Sequence, residues 1–223
     1  VKKNQLRLLA PNINRSCYYF MPEGEKSIRY ALGAIKGAGK QAIESIVAER
    51  EAHGPFRDLF DFCRRLGKKL NNKRMIESLV KAGAFDELEP NRAYLFSHIN
   101  LAMDYAEQDR VNDVQNSLFD LNEGIQEIIQ PVIVENWNFA KQLSEEKEAI
   151  GFYISDHPFK PYRDYINHLP HGQTLAGLHL GEDVWIGGFV NKIRNLISKS
   201  GKRLWLLELD DGEQRRDIRL SET

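Results

Sequence analysis

Between Lys40 and Ala52 the apolar positions Ile43, Ile46 and Val47 recur at i, i+3 and i+4 in a polar run, which predicts a helix with one buried face. His53-Gly54-Pro55 supplies its stop. Asp58 stands as N-cap of a second predicted helix, through Leu66, that buries Leu59, Phe62 and Cys63. Asn72 caps a third through about Ala82, with Ile76, Leu79 and Val80 inward and Gly83 just past its end. Asn91 starts a longer helix whose Leu95, Ile99, Ala102, Met103 and Ala106 form one core stripe. Ahead of these, residues 1–27 read as irregular and extended, and Ile28 to Ala34 as a short helix. Trp137 and Asn138 introduce a further helix through about Ile150. From Asp183 the period drops to two. Val184, Ile186 and Val190 alternate with Trp185, Gly187 and Phe189, and Leu204 and Leu206 alternate with Trp205, Leu207 and Leu209. Turns at Lys199-Ser200-Gly201-Lys202 and Asp210-Asp211-Gly212 divide these strands from each other and from Arg215 to Leu220. The predicted fold is mainly α with a small β part. A compact helical domain over 28–112 precedes a linker over 113–136, a helix and connector over 137–182, and a β-meander over 183–223.

Candidate chemistry concentrates where the first two helices meet. Ile35-Lys36-Gly37-Ala38-Gly39-Lys40 sets two glycines, one residue apart, between an apolar anchor and the amphipathic run. Glycine at Gly37 and Gly39 permits positive φ and close approach of the backbone to another molecule. A tight turn opening a helix leaves backbone N–H groups unpaired at the positive end of the dipole, a nest that suits a phosphate oxygen. Lys36 and Lys40 flank it with charge. This is the helix–hairpin–helix pattern, which grips a nucleic-acid backbone without reading bases. An ordinary glycine-containing turn between two packed helices is the other reading of the same residues.

Charge sharpens the picture. Lys and Arg number 31 against 32 Asp and Glu, for a net charge of −1, so any nucleic-acid face must be local. Arg64, Arg65, Lys68, Lys69, Lys73 and Arg74 form a run without an acid between them, either a solvated loop or a second patch for the same duplex. From Asp104 to Glu127 the sign reverses, with Asp104, Glu107, Asp109, Asp113, Asp120, Glu123 and Glu127 facing Arg110. That acidic stretch, read as a linker, holds Gln115-Asn116-Ser117-Leu118-Phe119. Leu118 and Phe119 there either dock into a partner's groove or fold back on the helical domain.

Hydrophobic residues at 42% and charged residues at 28% suit a soluble globular chain. Cys17 and Cys63 form no Cys-x-x-Cys pair, which argues against a disulfide framework or structural zinc. His157, His168, His171 and His179 lie in loop-like sequence without a ligand set, so neither a metal site nor a catalytic residue is assigned. No apolar run reaches the ~18 residues of a membrane span and no signal peptide is visible, so a cytoplasmic location is expected. The absence of an initiator Met and the abrupt polar end read as those of an excised piece.

Several separate stretches resemble one family. Ile28-Arg29-Tyr30-Ala31-Leu32-Gly33-Ala34-Ile35-Lys36-Gly37, Phe56 to Cys63, Leu79 to Asp86, and Glu146 to Ser155 with His157-Pro158 are similar to the bacterial replicative DNA polymerase III alpha subunit, as are the closing strands. The resemblance covers nearly the whole chain in order. It implies that residues 1–27 end the fingers region, that 28–112 form the helix–hairpin–helix domain for duplex DNA and clamp binding, and that 183–223 begin an OB-fold. Lys36, Gly37, Ala38, Gly39, Lys40, Arg64, Arg65, Lys68 and Lys69 would meet duplex DNA. Gln115, Ser117, Leu118 and Phe119 resemble the peptide by which such polymerases bind the sliding clamp. The basic meander resembles the first three strands of an OB-fold, which needs five to close. That shortfall weighs against single-strand binding here, with Arg194, Lys199, Lys202 and Arg203 the residues that would carry it. The family's metal-binding aspartates lie upstream, so Mg²⁺ is implied for the full-length polymerase and no cofactor for this piece. Other replicase subunits are implied partners and a membrane is not. Asp156 stands where a small residue is common, and Ala31 where Gly is. A DNA-binding adaptor, an accessory domain of a repair enzyme and an error-prone polymerase paralogue remain as alternatives.

Overall fold

The apolar stripes of residues 40–106 converge on a row of phenylalanine rings. Phe62 meets Phe56 and Phe85 edge-on, each at a centroid separation of 5.1 Å. Ile43, Ile46, Met75, Ile76, Leu79, Ile99 and Ala102 close around them with essentially no exposure. The computed structural model describes residues 6–70, 72–119, 133–179, 181, 183–197 and 203–221, with 68–70, 112–119 and 221 described by backbone alone. Two units emerge, Val1–Ile154 and Ser155–Thr223.

In the first unit, β1 (Arg7–Leu9), β2 (Met21–Pro22) and β3 (Ser27–Arg29) lead through a single 3₁₀ turn (Leu32–Ala34) into α1 (Lys40–His53), α2 (Leu59–Leu70), α3 (Lys73–Lys81), α4 (Arg92–Phe119) and α5 (Phe139–Ile150). Short polar side chains start the helices as the sequence predicts. Asp58 Oδ1 accepts from Asp61 N at 2.8 Å, Asn72 Oδ1 from Arg74 N at 3.0 Å, Asn91 Oδ1 from Tyr94 N at 2.9 Å and Asn138 Oδ1 from Lys141 N at 2.9 Å. Helix α2 keeps regular backbone as far as Leu66, its predicted end, and breaks at Gly67 (φ 65°) before one further turn.

Three expectations are corrected. The short helix foreseen for Ile28 to Ala34 is a strand followed by the 3₁₀ turn. Ile28 pairs with Leu8 on one side, in parallel, and with Pro22 on the other. Pairing with the supposedly irregular N-terminal segment satisfies backbone groups that a helix would have satisfied internally. Gly33 then sits so close to Tyr18 that a Cβ there would lie 2.5 Å from the ring. The acidic segment, foreseen as linker from 113, begins as helix, since α4 continues to Phe119. Helix α5 forms where a helix through about Ile150 is predicted, but it belongs to the first unit rather than with the connector in a segment over 137–182, and Ala149 and Ile150 lie in that unit's core.

The second unit holds α6 (Lys160–His168), which the sequence reading did not foresee, and a parallel pair of β4 (Gly172–Gln173) with β5 (Trp185–Ile186). Strands β6 (Phe189–Ile197), β7 (Arg203–Asp210) and β8 (Arg215–Ser221) form the expected antiparallel meander in the order β6-β7-β8. Its second turn falls at Asp210-Asp211-Gly212 as predicted, and its first, 199–202, lies outside the described residues. The register stacks Ile193, Leu207 and Ile218 across the sheet, with Trp205 and Leu220 beside them. Ile193, Trp205 and Leu220 are all exposed within this unit.

Candidate nucleic-acid interface

Helix α1 begins without a side-chain cap. Gly39 is its N-cap residue, and the first carbonyl used at this end is that of Gly39, which accepts from Ile43 N at 3.1 Å. Among the described residues, no backbone or side-chain acceptor meets the N–H groups of Lys40, Gln41 and Ala42. These are the orphan donors that every helix start leaves, here uncovered. Lys36, Gly37, Gly39 and Lys40 are exposed and Ala38 is half-buried, so all five predicted hairpin residues share one loop, four of them open to solvent. Ile35 anchors the loop in the core at 2% exposure.

The two glycines do different jobs. Gly37 has φ 81°, a left-handed conformation that side chains resist. Gly39 has φ −67° and ψ 144°, ordinary extended backbone, and a Cβ built on it would meet nothing within 4 Å. Positive φ, which glycine permits at both positions, is adopted at Gly37 alone. Gly39 leaves open space in front of the N–H groups instead. Lys40 projects beside that space, 59% exposed, with Glu44 Oε1 at 3.7 Å and the Tyr18 ring centroid at 5.8 Å.

Arg65 leaves the predicted DNA set. Its side chain is 12% exposed and donates to Glu49 Oε1 at 3.0 Å, the Glu49 carbonyl at 3.0 Å, the Gly54 carbonyl at 2.9 Å and the Pro55 carbonyl at 3.2 Å. It also lies 4.4 Å over the Phe56 ring. These bonds join the end of α1, its C-cap residue Gly54 and the following Pro55, which leaves the guanidinium committed to the fold. Arg64 is half-exposed, 3.4 Å from Asp61 and 3.9 Å from Asp109. Asp61 sits among Arg57, Arg64 and Arg65. Burial alone would push its carboxyl up, but the Arg57 N–H and the Arg57 and Arg65 guanidiniums outweigh it and hold it below the usual range. The side chains of Lys68 and Lys69 lie outside what is described.

Of the residues named for single-strand binding, Arg194 and Arg203 fall on opposite faces of the meander. The strand register puts Arg194 beside Leu206 and Arg219, while Arg203 shares the opposite face with Trp205. Lys199 and Lys202 lie outside the described residues. The backbone of Gln115, Ser117, Leu118 and Phe119 forms the last turn of α4, and their side chains are not described. Among the described residues no group of three or more His, Cys, Asp and Glu is placed to hold a metal ion. No helix among them is long and apolar enough to cross a membrane.

Sequence reasoning missed the support behind the hairpin. Lys36 N donates to the Ala149 carbonyl at 2.9 Å, so the last turn of α5 holds the residue just before Gly37. Beneath it Arg92, 2% exposed, joins Asp86 at 2.7 Å and Glu146 at 3.3 Å. Burial pushes the Asp86 carboxyl up despite the Arg92 charge.

A family model for the helix-hairpin-helix motif matches residues 5–95. The chain is 43% identical over 201 residues to the DNA polymerase III subunit alpha of Neisseria meningitidis serogroup A, covering 90% of this chain and 18% of that one. It is 34% identical over 222 residues to that of Escherichia coli K12, and 35% identical over 211 residues to that of Bacillus subtilis 168. Those two alignments cover 96% and 94% of this chain, and each covers 19% of the relative. The chain thus spans about a fifth of the length of the curated relatives it matches. With the hairpin loop inside the matched motif, the chain is similar along nearly its whole length to one stretch of the DNA polymerase III alpha subunits.

Proposed function

We propose that the chain is the segment of a bacterial replicative DNA-directed DNA polymerase that grips the duplex backbone and fastens the enzyme to its sliding clamp. The observation that carries the reading is the uncapped start of α1, with the open N–H donors of Lys40, Gln41 and Ala42 beside Lys36 and Lys40, inside the motif match. A phosphate oxygen there receives charge-assisted hydrogen bonds and the favourable end of the helix dipole. Contact with few phosphates makes binding weak, independent of sequence and sensitive to salt. The polymerase as a whole would use deoxynucleoside triphosphates and Mg²⁺, work in the cytoplasm and assemble with other replicase subunits. None of that chemistry is assigned to residues of this segment.

The clamp contact rests on Gln115, Ser117, Leu118 and Phe119. Burying Leu118 and Phe119 in an apolar groove contributes ~3–6 kcal/mol before ordering costs, so micromolar affinity is expected. A peptide that docks extended must first unwind the last turn of α4, which adds to that cost. Simultaneous DNA binding at α1 raises the effective concentration of the tether without new contacts. The test is binding of the chain to labelled duplex with and without purified clamp, repeated with Leu118→Ala plus Phe119→Ala. The double variant should lose clamp binding and keep duplex affinity. Unchanged clamp affinity would remove the tether from this reading.

A further inference from the structure

Helix α5, which meets the hairpin through the Ala149 carbonyl, is itself seated by an ion network. Lys81, at the end of α3, pairs with Glu145 at 2.8 Å and Glu148 at 3.1 Å on the outer side of α5. On its inner side Glu146 is 1% exposed, with Oε2 taking Arg92 Nη1 at 3.3 Å and Oε1 taking the Ile154 N–H at 2.5 Å. Arg92 is fixed in turn by both oxygens of Asp86, at 2.9 and 2.7 Å, and by the Lys81 carbonyl at 3.0 Å. Three residues beyond Glu146, one helical turn on, the Ala149 carbonyl holds Lys36 N. Between residues 36 and 42, Lys36 and Ala38 are the described residues whose backbone N–H groups have acceptors. Among the described residues the Lys36–Ala149 bond is the one backbone N–H hydrogen bond from residues 36–42 to a distant element, and it is as firm as the seating of α5.

We propose that Glu146, locked by Arg92, is a positioning residue for the hairpin. It sets α5 at the height where the Ala149 carbonyl pins Lys36 and presents the Gly37–Lys40 backbone in one conformation. The inference rests on the reading of that loop as the DNA contact. A loop whose backbone is competent a tenth of the time binds about tenfold more weakly, with every phosphate contact still available. Glu146→Gln keeps the size but turns one accepting oxygen into a donor, aimed either at Arg92 or at the Ile154 N–H, and so loosens α5.

The experiment takes the full chain, Glu146→Gln and the milder Lys81→Met. It measures amide exchange without DNA, and duplex affinity across a salt series. Glu146→Gln should speed exchange at Lys36 to Ala42 while amides at Ile46, Phe62 and Ile76 keep their protection. Duplex Kd should rise about tenfold, with the slope of log affinity against log salt unchanged because no phosphate partner is removed. Lys81→Met should act in the same direction, about threefold. Unchanged exchange at residues 36–42 overturns the proposal, as does faster exchange spread evenly through the core. If Glu146→Gln does not fold, the Lys81→Met arm decides alone. If the unmodified chain binds no duplex, the DNA reading fails separately, and the exchange arm still decides whether Glu146 sets the loop.

Discussion

Replacing Gly39 with valine isolates the DNA contact from the fold. The backbone at Gly39 is extended, where β-branched residues are at ease, and the added side chain meets no atom within 4 Å. Losing glycine at an N-cap costs up to ~1 kcal/mol, and a stiffer unfolded chain returns ~0.4–1 kcal/mol. The net change in stability is about 0.5 kcal/mol or less, worth ~2 °C or less in Tm for a chain of this size. DNA binding should respond very differently. The isopropyl group fills the space in front of the Lys40 and Gln41 N–H groups and keeps a phosphate oxygen out of reach. A hydrogen bond to a charged group contributes ~1.5–3 kcal/mol, so affinity should fall roughly 10- to 150-fold. Gly37→Val supplies the contrast, since its φ of 81° makes valine strained by ~1–3 kcal/mol and lowers stability as well. The assay is fluorescence anisotropy of a labelled duplex at ~50 mM salt, where the electrostatic part is largest, alongside thermal melts. An unchanged Kd for Gly39→Val at unchanged Tm would refute the phosphate nest. A drop in Tm matching that of Gly37→Val would refute the account of the two glycines.

Two further outcomes follow from the titrating groups. In the β7–β8 turn, burial alone would raise Asp210 and Asp211, but Arg215 and the Gly212 N–H hold Asp210 low, and the Gln214, Glu213 and Leu175 N–H groups hold Asp211 low. Carboxyls depressed by folding stabilise above the ordinary value and lose that contribution as pH falls through the folded one, so the second unit should loosen below about pH 4. Tryptophan fluorescence of a Trp137→Phe variant, which leaves Trp185 and Trp205, checks this; a flat signal down to about pH 2 would contradict it. Cys63 is fully buried and its thiol is pushed up to about 12 by burial, aided by the Asp58 charge. Cys17 alone should react with a thiol reagent at about pH 8 in the folded protein, and rapid labelling of both would show that the core around Phe62 is not closed.

What could be read in the sequence was local. Asp58, Asn72, Asn91 and Asn138 each precede a periodic run, and each caps the helix it announces. The loop from Lys36 to Lys40 was legible because glycine, charge and a following amphipathic run coincide within a few residues. Readings failed where a distant partner decides. Ile28 becomes strand because Leu8 and Pro22 flank it, and nothing in its own neighbourhood says so. Arg65 reads as one of a basic run, yet its acceptors lie on Glu49, Gly54 and Pro55. Glu146 looks like one acid among several, and only the folded chain puts Arg92 beside it. Two signals were available and unused. The stretch from Arg92 to Phe119 contains neither Gly nor Pro, and Pro161 marks the first turn of α6.

Helix α1 is held at both extremities by side chains and carbonyls that do not belong to it. Its 14 residues make a rod about 21 Å long, with Lys36 pinned to α5 ahead of one end and Arg65 clasping the Glu49 and Gly54 carbonyls at the other. A pull on an anion bound at the first turn, as proposed, would thereby be carried along the rod into α2 and the phenylalanine row, rather than absorbed by a swinging loop. The hairpin acts as a towing eye welded to the chassis. Drag on a backbone held there, as proposed, would move the body of the first unit with it.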